Sequence, residues 1–367
     1  MSVNAGIDLR ECGMADKVVA TKESPGFLIS PPVVQGESLS KNISDRQMSA
    51  WNVGGWAGRD IRVLEIENAL VLHNGLVFRG DGTVVSESAR NFNGDTIEKA
   101  KLQFSELYQS ASRLDKDALL CARPGGICYG HILVEIMGSA WIGHKMMSDR
   151  SWALLAGTRP GIFELYKQIA RYSGMSDVEF LNIGTSPTVV RKIYIVDGFA
   201  ITGEYVSPLL KNFSERIVEG MGGLAEGRRT RKLFVARKPK DGRNINNHEE
   251  VQSFLVSQGY QIVYPEDLEW SDQVRYFSEA THIVGVMGSA LSTAMFCKPG
   301  TRLLLMTPPG MLDTFFWRIA AICRLDYQEL RVKTLDSERS KETGRPLDKD
   351  VYVDLGLLSD WIFSSQI

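Results

Sequence analysis

Between residues 232 and 306 the chain alternates two hydrophobic periods, and no other feature of the sequence restricts the fold as much. Residues 232–237 (Lys-Leu-Phe-Val-Ala-Arg), 260–264, 282–287 and 302–306 are short β-rich runs. Between the first two, Asn247 with Glu250 three residues on reads as a helical capping box, with Val251, Phe254 and Leu255 as the buried face and Gly259 as the stop. Residues 272–280 give a second helix with Val274, Phe277 and Ala280 inward. Strands separated by helices of this length predict an α/β fold with a parallel sheet covered on both faces.

The 367 residues correspond to about two domains at roughly 150 residues each. Residues 1–60 hold Pro31-Pro32, Gly54-Gly55 and little periodicity, and read as an irregular arm. The first domain is then 61–225, opening on a hairpin-rich stretch in which Asn74-Gly75 and Asp81-Gly82 separate β-rich pieces. A helix after Gly130 carries Ile132, Leu133, Ile136, Met137, Ala140 and Trp141 on one stripe, and another runs from Pro160 to about Gly174. Strands are expected at 178–183 and 192–196. The second domain is 226–335, followed by a polar surface connection and a last strand and helix within 336–367.

Composition matters here mainly for what it removes. Forty-two basic against 44 acidic residues leave a net charge of -2, so no general field holds nucleic acid or an anionic membrane, and an anionic ligand must be gripped locally. Five cysteines without a C-x-x-C pair fit neither a disulfide framework nor a zinc ribbon. The N-terminus has no basic start with an apolar core, and no apolar run reaches about 18 residues, so the expected location is cytoplasmic.

Three places offer chemistry. His131 and Glu135 stand one turn apart on the helix after Gly130, and an imidazole that titrates near neutrality can take a hydroxyl proton as general base, with the carboxylate as its neighbour. Eight basic residues fall between Arg228 and Arg243. Of these, Arg237 and Lys238 lie at the carboxyl end of an expected parallel strand, where open α/β sheets bind ligands. A guanidinium there, at Arg237 or Arg243, can clasp a pyrophosphate, whereas Arg228, Arg229 and Lys240 read as a solvated loop. The third place is the turn at Gly288-Ser289-Ala290, between a strand and a helix. Small residues suit any such turn, and they also let a phosphate approach the helix end. His73, His144, His248 and His282 show no ligand spacing, and Asp115-Lys-Asp117 and Asp348-Lys-Asp350 read as solvated surface, so no metal site is expected.

The block Leu233-Phe-Val-Ala-Arg237, then Arg243-x-Ile245-x-Asn247-x-Glu249-Glu-Val251, Gly285-x-x-Gly-x-x-Leu291 and Phe296-x-x-Pro299-Gly-Thr301, resembles the C-terminal half of glycosyltransferase family 61. Gly130-His131-x-x-x-Glu135 is similar to that family's His-x-x-x-Glu helix, and residues 316–327 to its aromatic region. The resemblance implies a GT-B-like architecture, two Rossmann-like domains facing across a cleft with a C-terminal helix returning to the first. It also implies inverting, metal-independent transfer of a hexose or pentose from a nucleotide-sugar, a UDP-sugar above others, to a hydroxyl of a glycan or glycolipid acceptor. No further cofactor and no nucleic acid are implied. The first domain is then the acceptor domain, with His131 and Glu135 catalytic. The second is the donor domain, with Arg237, Arg243, Asn247, Gly288, Ser289, Ala290, Leu291 and Ser292 at the nucleotide. The setting so implied is surface-glycan synthesis in the cytoplasm or peripherally at the inner membrane face. Two positions depart from the family pattern: Met287 stands where a histidine is usual, and Leu305 where a glutamate is frequent. These apolar replacements leave a second reading open, a binding or scaffold protein that kept the fold without turnover.

Overall fold

In the computed structural model, which describes residues 12–364 apart from 39–40, 150–151, 224–229, 240–241, 312 and 346–347 and the side chains of 42 and 43, the longest strand organises the first half. Arg59–Val71 is rich in β-branched and aliphatic residues, and most of its length is buried. It pairs antiparallel with Lys17–Ser24 on one side and with Thr188–Asp197 on the other. From Thr188–Asp197 the sheet continues in parallel through Ser112–Leu120, Ala153–Ala156 and Glu179–Asn182. The hairpin signals are realised in part: Val77–Phe78 folds back antiparallel on Arg59–Val71, and Phe78 bridges to Val84.

The second half forms an all-parallel sheet, as the alternation predicts. Its order is Gln261–Val263, Arg231–Val235, Ala280–Val286, Arg302–Thr307, Asp326–Arg331 and Val33–Gly36. Every residue of Arg302–Thr307 is buried, although successive side chains point to opposite faces, so both faces of this sheet are covered. Phe234, Val284, Leu304 and Leu330 pack with Val251 and Leu255 of the helix His248–Ser257.

Two compact units result: residues 1–26 with 57–221, and residues 27–56 with 222–367. Here the structure corrects three expectations. Among its described residues the N-terminal arm is not irregular, since Lys17–Ser24 is an edge strand of the first sheet and Val33–Gly36 of the second; residues 1–11 lie outside the described ones. The last helix, Leu355–Phe363, buries Leu358, Trp361 and Ile362 in the core of the second unit instead of returning to the first. The polar stretch near 336–350 is partly buried. Ser337 caps Glu338–Thr343 in a true capping box, the Asp348 carbonyl accepts from Ser337 Oγ at 2.6 Å, and the Asp350 carboxylate takes the Asn244 N–H at 2.8 Å. Asp348 is thus buried and Asp350 half-buried, each accepting from a hydroxyl or backbone donor, and neither is solvated surface.

The residue that closes the strand Val33–Gly36 is a sharp test of that edge. Gly36 has φ +95°, and a Cβ on it would lie 2.2 Å from the carbonyl oxygen of Arg331. No rotamer relieves a clash between backbone atoms. Gly36→Ala is expected to lower stability by about 2–4 kcal/mol, read as a fall in the urea midpoint; an unchanged midpoint would remove Val33–Gly36 from the sheet.

Candidate active site

In the first sheet Ser112–Leu120 has Ala153–Ala156, the next strand in sequence, on one side and Thr188–Asp197, the last, on the other. The winding reverses between them, and open α/β sheets take ligands outside the carboxyl ends of strands at such a reversal. A cleft of about 1150 Å³ lies there. Its lining includes Pro124 and Gly125 after Ser112–Leu120, Asp197 at the end of Thr188–Asp197, Thr202 and Glu204 just beyond, and His131.

His131 begins a π-helical stretch, His131–Met137, that passes into the α-helix Gly138–Met146. The Gly138 N–H donates to the carbonyl of Leu133, five residues back. This wider turn differs from the plain α-helix expected from the apolar stripe, and such turns recur at functional sites. It sets His131 Nδ1 2.9 Å from Glu135 Oε2 in a bent contact. Glu135 is only 2% exposed. Its Oε2 also accepts from Thr202 Oγ1 at 2.8 Å and lies 3.2 Å from Arg123 Nη1. Burial pushes the Glu135 carboxyl upward, but the His131 contact, the Arg123 charge and the Thr202 hydroxyl outweigh it and hold the group below its ordinary 4.5. Gly125, at φ +76°, lies against the imidazole, where a Cβ would come 3.1 Å from His131 Cδ2. The pair picked out by sequence is thus assembled, with His131 lining the cleft and Glu135 buried beside it. Arg123 and Thr202, which complete it, were missed; a signal for Arg123 was present, since Arg123-Pro-Gly-Gly follows the apolar strand end Ala-Leu-Leu-Cys-Ala.

The same wall holds a second buried carboxylate. Asp197 bonds Arg62 at 2.6 Å through one oxygen and Arg90 through the other. That pairing raises the Arg62 guanidinium further above its ordinary value. Arg59 stacks on the Tyr205 ring, 3.9 Å from its centre. The cleft therefore presents fixed cations and carboxylates suited to a polar ligand.

In the second sheet the same rule applies. The order of the strands Gln261–Val263, Arg231–Val235, Ala280–Val286, Arg302–Thr307 and Asp326–Arg331 places the reversal between Arg231–Val235 and Ala280–Val286. Arg237 follows the first of these and Gly288 the second. A Cβ on Gly288 would lie 3.6 Å from Arg237 Nη1, and Arg243 Nη1 lies 3.5 Å from the Met287 carbonyl. Arg237 makes no hydrogen bond or ion pair among the described residues. Burial lowers its pKa and the neighbouring Arg243 charge lowers it further, against a smaller opposing effect of Glu266. Two guanidinium groups held this close are a candidate anion site. Lys238, beside Arg237, is instead turned outward onto Asp267, and Arg228, Arg229 and Lys240 lie outside the described residues.

Other predicted donor residues sit elsewhere or face inward. Asn247 does not use its side chain to cap the following helix: its Nδ2 donates to the Val353 carbonyl at 2.9 Å, and its Oδ1 accepts from the Val353 N–H at 3.1 Å. The turn after Gly288 opens a 3-10 helix, Ser289–Phe296, and not an α-helix. Leu291 and Ser292 are buried, and the Leu291 N–H already donates to the Gly288 carbonyl at 2.9 Å. Only Gly288, Ser289 and Ala290 remain accessible to a ligand. Gly288 itself is extended, at φ -176°, so its value is the open space beside Arg237. Met287 and Leu305 are fully buried core residues. Among the described residues, no group of three or more His, Cys, Asp or Glu is placed to hold a metal ion, and no helix is long and apolar enough to cross a membrane.

Compared with known families, residues 129–304 match the one described as Glycosyltransferase 61. The matched stretch takes in His131, Glu135, Arg237, Arg243 and the turn at Gly288, whereas Arg123 precedes it. No curated protein matches the chain.

The depressed Glu135 carboxyl gives a prediction with a definite sign. A carboxylate whose pKa is lower folded than unfolded contributes stability above the unfolded value, and that contribution is lost as pH falls through the folded one. Glu135→Gln is therefore expected to cost on the order of 3 kcal/mol at pH 7, because Arg123 is left without its counter-charge. The difference from the unsubstituted protein should narrow as pH drops below 4.5. Urea unfolding at pH 7, 5 and 3.5 measures both, and a gap independent of pH would show that Glu135 is not ionised in the folded protein.

Proposed function

Because the chain belongs to glycosyltransferase family 61, we propose that it moves a sugar from a nucleotide-sugar to a hydroxyl acceptor, with inversion at the anomeric carbon and without a divalent ion. The observation that carries this reading is the His131–Glu135 pair at 2.9 Å on the wall of the first unit's cleft. With Nδ1 turned to the carboxylate, Nε2 is the ring nitrogen left to receive the acceptor's hydroxyl proton. The acceptor oxygen forms its bond to the anomeric carbon as the bond from that carbon to the diphosphate oxygen breaks, and the electron pair leaves with the nucleoside diphosphate. Glu135 stabilises the imidazolium; tied to Arg123 and Thr202, it orients the base and is not itself the base.

The leaving diphosphate is assigned to the second unit. Arg237 and Arg243 supply there the positive charge that a metal ion brings in other transferases, and Ser289 and Ala290 offer backbone N–H groups beside them. In this reading the two units share the work as the halves of a GT-B enzyme do, with a UDP-sugar as donor. The departures at Met287 and Leu305 fall on fully buried side chains, so they bear on packing before they bear on donor contact.

Two substitutions separate the roles. His131→Ala is expected to cut transfer by about 10²–10⁴-fold with nucleotide affinity unchanged, because proton abstraction is needed only in the transition state; equal turnover would remove the base. UDP is expected to raise the melting temperature by mass action. Arg237→Ala should weaken UDP affinity by about 10- to 150-fold, the size of a charge-assisted contact worth about 1.5–3 kcal/mol, at unchanged intrinsic stability. Undiminished UDP binding in that variant would move the nucleotide away from Arg237.

A further inference from the structure

Three groups converge on a single oxygen, Glu135 Oε2: Thr202 Oγ1 donates to it at 2.8 Å, Arg123 Nη1 forms an ion pair at 3.2 Å, and His131 Nδ1 lies at 2.9 Å in a contact without hydrogen-bond geometry. Arg123 closes the figure by donating from Nη2 to Thr202 Oγ1 at 3.3 Å. Its side chain is 16% exposed, and its only ion-pair partner among the described residues is Glu135. Two residues further on, Gly125 leaves room beside the imidazole, where a Cβ would lie 3.1 Å from His131 Cδ2. One loop therefore pairs with the carboxylate and passes beside the ring.

We propose that Arg123 is a positioning residue that sets the proton affinity and tautomer of the catalytic imidazole through its share of Glu135 Oε2. A carboxylate facing only His131 would put its whole charge on the imidazolium and hold the proton on the ring. A base that must start each cycle unprotonated works against that. Arg123 takes part of the carboxylate's charge, which reduces the charge the imidazolium would face, while Glu135 lies against Nδ1 and leaves Nε2 to the acceptor. One guanidinium nitrogen pairs with Glu135 directly and the other reaches it through Thr202, so the carboxylate is held by two routes. The other charged groups of the cleft around His131 are Arg59, Asp60, Arg62, Arg90, Asp197 and Glu204, and of these Arg62 and Arg90 are already paired with Asp197.

This proposal rests on His131 being the base, but its test reads the ring with no sugar present, so its failure is distinct from failure of the transferase reading. The full chain, labelled with ¹⁵N-histidine, has five histidines, and His131→Ala assigns the resonance. In the unsubstituted protein the neutral ring should be protonated on Nδ1. In Arg123→Met the pH midpoint of the His131 resonance is expected to rise by about one unit, a tenfold change in proton affinity. Arg123→Lys, which keeps the charge and loses the fork, should shift it less, and Glu135→Gln with Arg123→Met should abolish the rise. Thr202→Val keeps the charges and should loosen the Nδ1–H preference, which leaves a test if Arg123→Met does not fold. An unchanged midpoint in Arg123→Met, an equal rise in Arg123→Lys, or an unaltered tautomer in Thr202→Val would each overturn the assignment.

Discussion

An ionised carboxylate that is 2% exposed imposes conditions on everything around it, and Glu135 is that group. Stripped of water, it needs charge and hydrogen bonds from the protein at short range. The helix provides His131, the loop after Ser112–Leu120 provides Arg123, and the segment after Thr188–Asp197 provides Thr202. These three elements come from the first, the last and the intervening parts of the parallel portion of one sheet. Satisfying one carboxylate therefore fixes the relative placement of strand ends, loop and helix, and the geometry of the cleft wall follows from it.

Both units put their candidate site residues where a parallel sheet reverses its winding, although the groups have opposite character. In the first unit each buried carboxylate is matched by cations, as Asp197 is by Arg62 and Arg90, so the wall is compensated before any ligand arrives. In the second, Arg237 and Arg243 repel each other. A wall whose charges are matched can position a polar ligand by hydrogen bonds, while two neighbouring guanidinium groups are chemically suited to an anion. The difference in electrostatics supports the division of roles more directly than the shape of either site.

Much of this was legible in the chain. Alternating periods in residues 232–306 do dictate a parallel sheet, because short apolar runs joined by amphipathic helices have few other ways to bury both faces. Arg237 was correctly placed at a strand end, and His131 and Glu135 on one helical face, since both inferences need only local spacing. Local spacing misled at Asn247, which has the pattern of a cap yet spends its side chain on Val353, 106 residues away. It misled again at Asp348 and Asp350, whose polar surroundings in sequence gave no sign of the donors that reach them from elsewhere in the chain.

By itself, then, the sequence determined the periodicities, and through them the class of fold, the strand ends and the residue types available there, because these depend on neighbours within a few positions. Tertiary structure alone decided what those residues meet. It put Lys17–Ser24 and Val33–Gly36 into different sheets, gave the last helix to the second core, opened a π-turn at His131, and brought Arg123 and Thr202 to one oxygen of Glu135. Apart from the local π-turn and the nearby Arg123 contact, these join segments far apart along the chain, where no repeat in the sequence records the contact; they are selected by burial and charge compensation, which exist only once the chain has closed on itself.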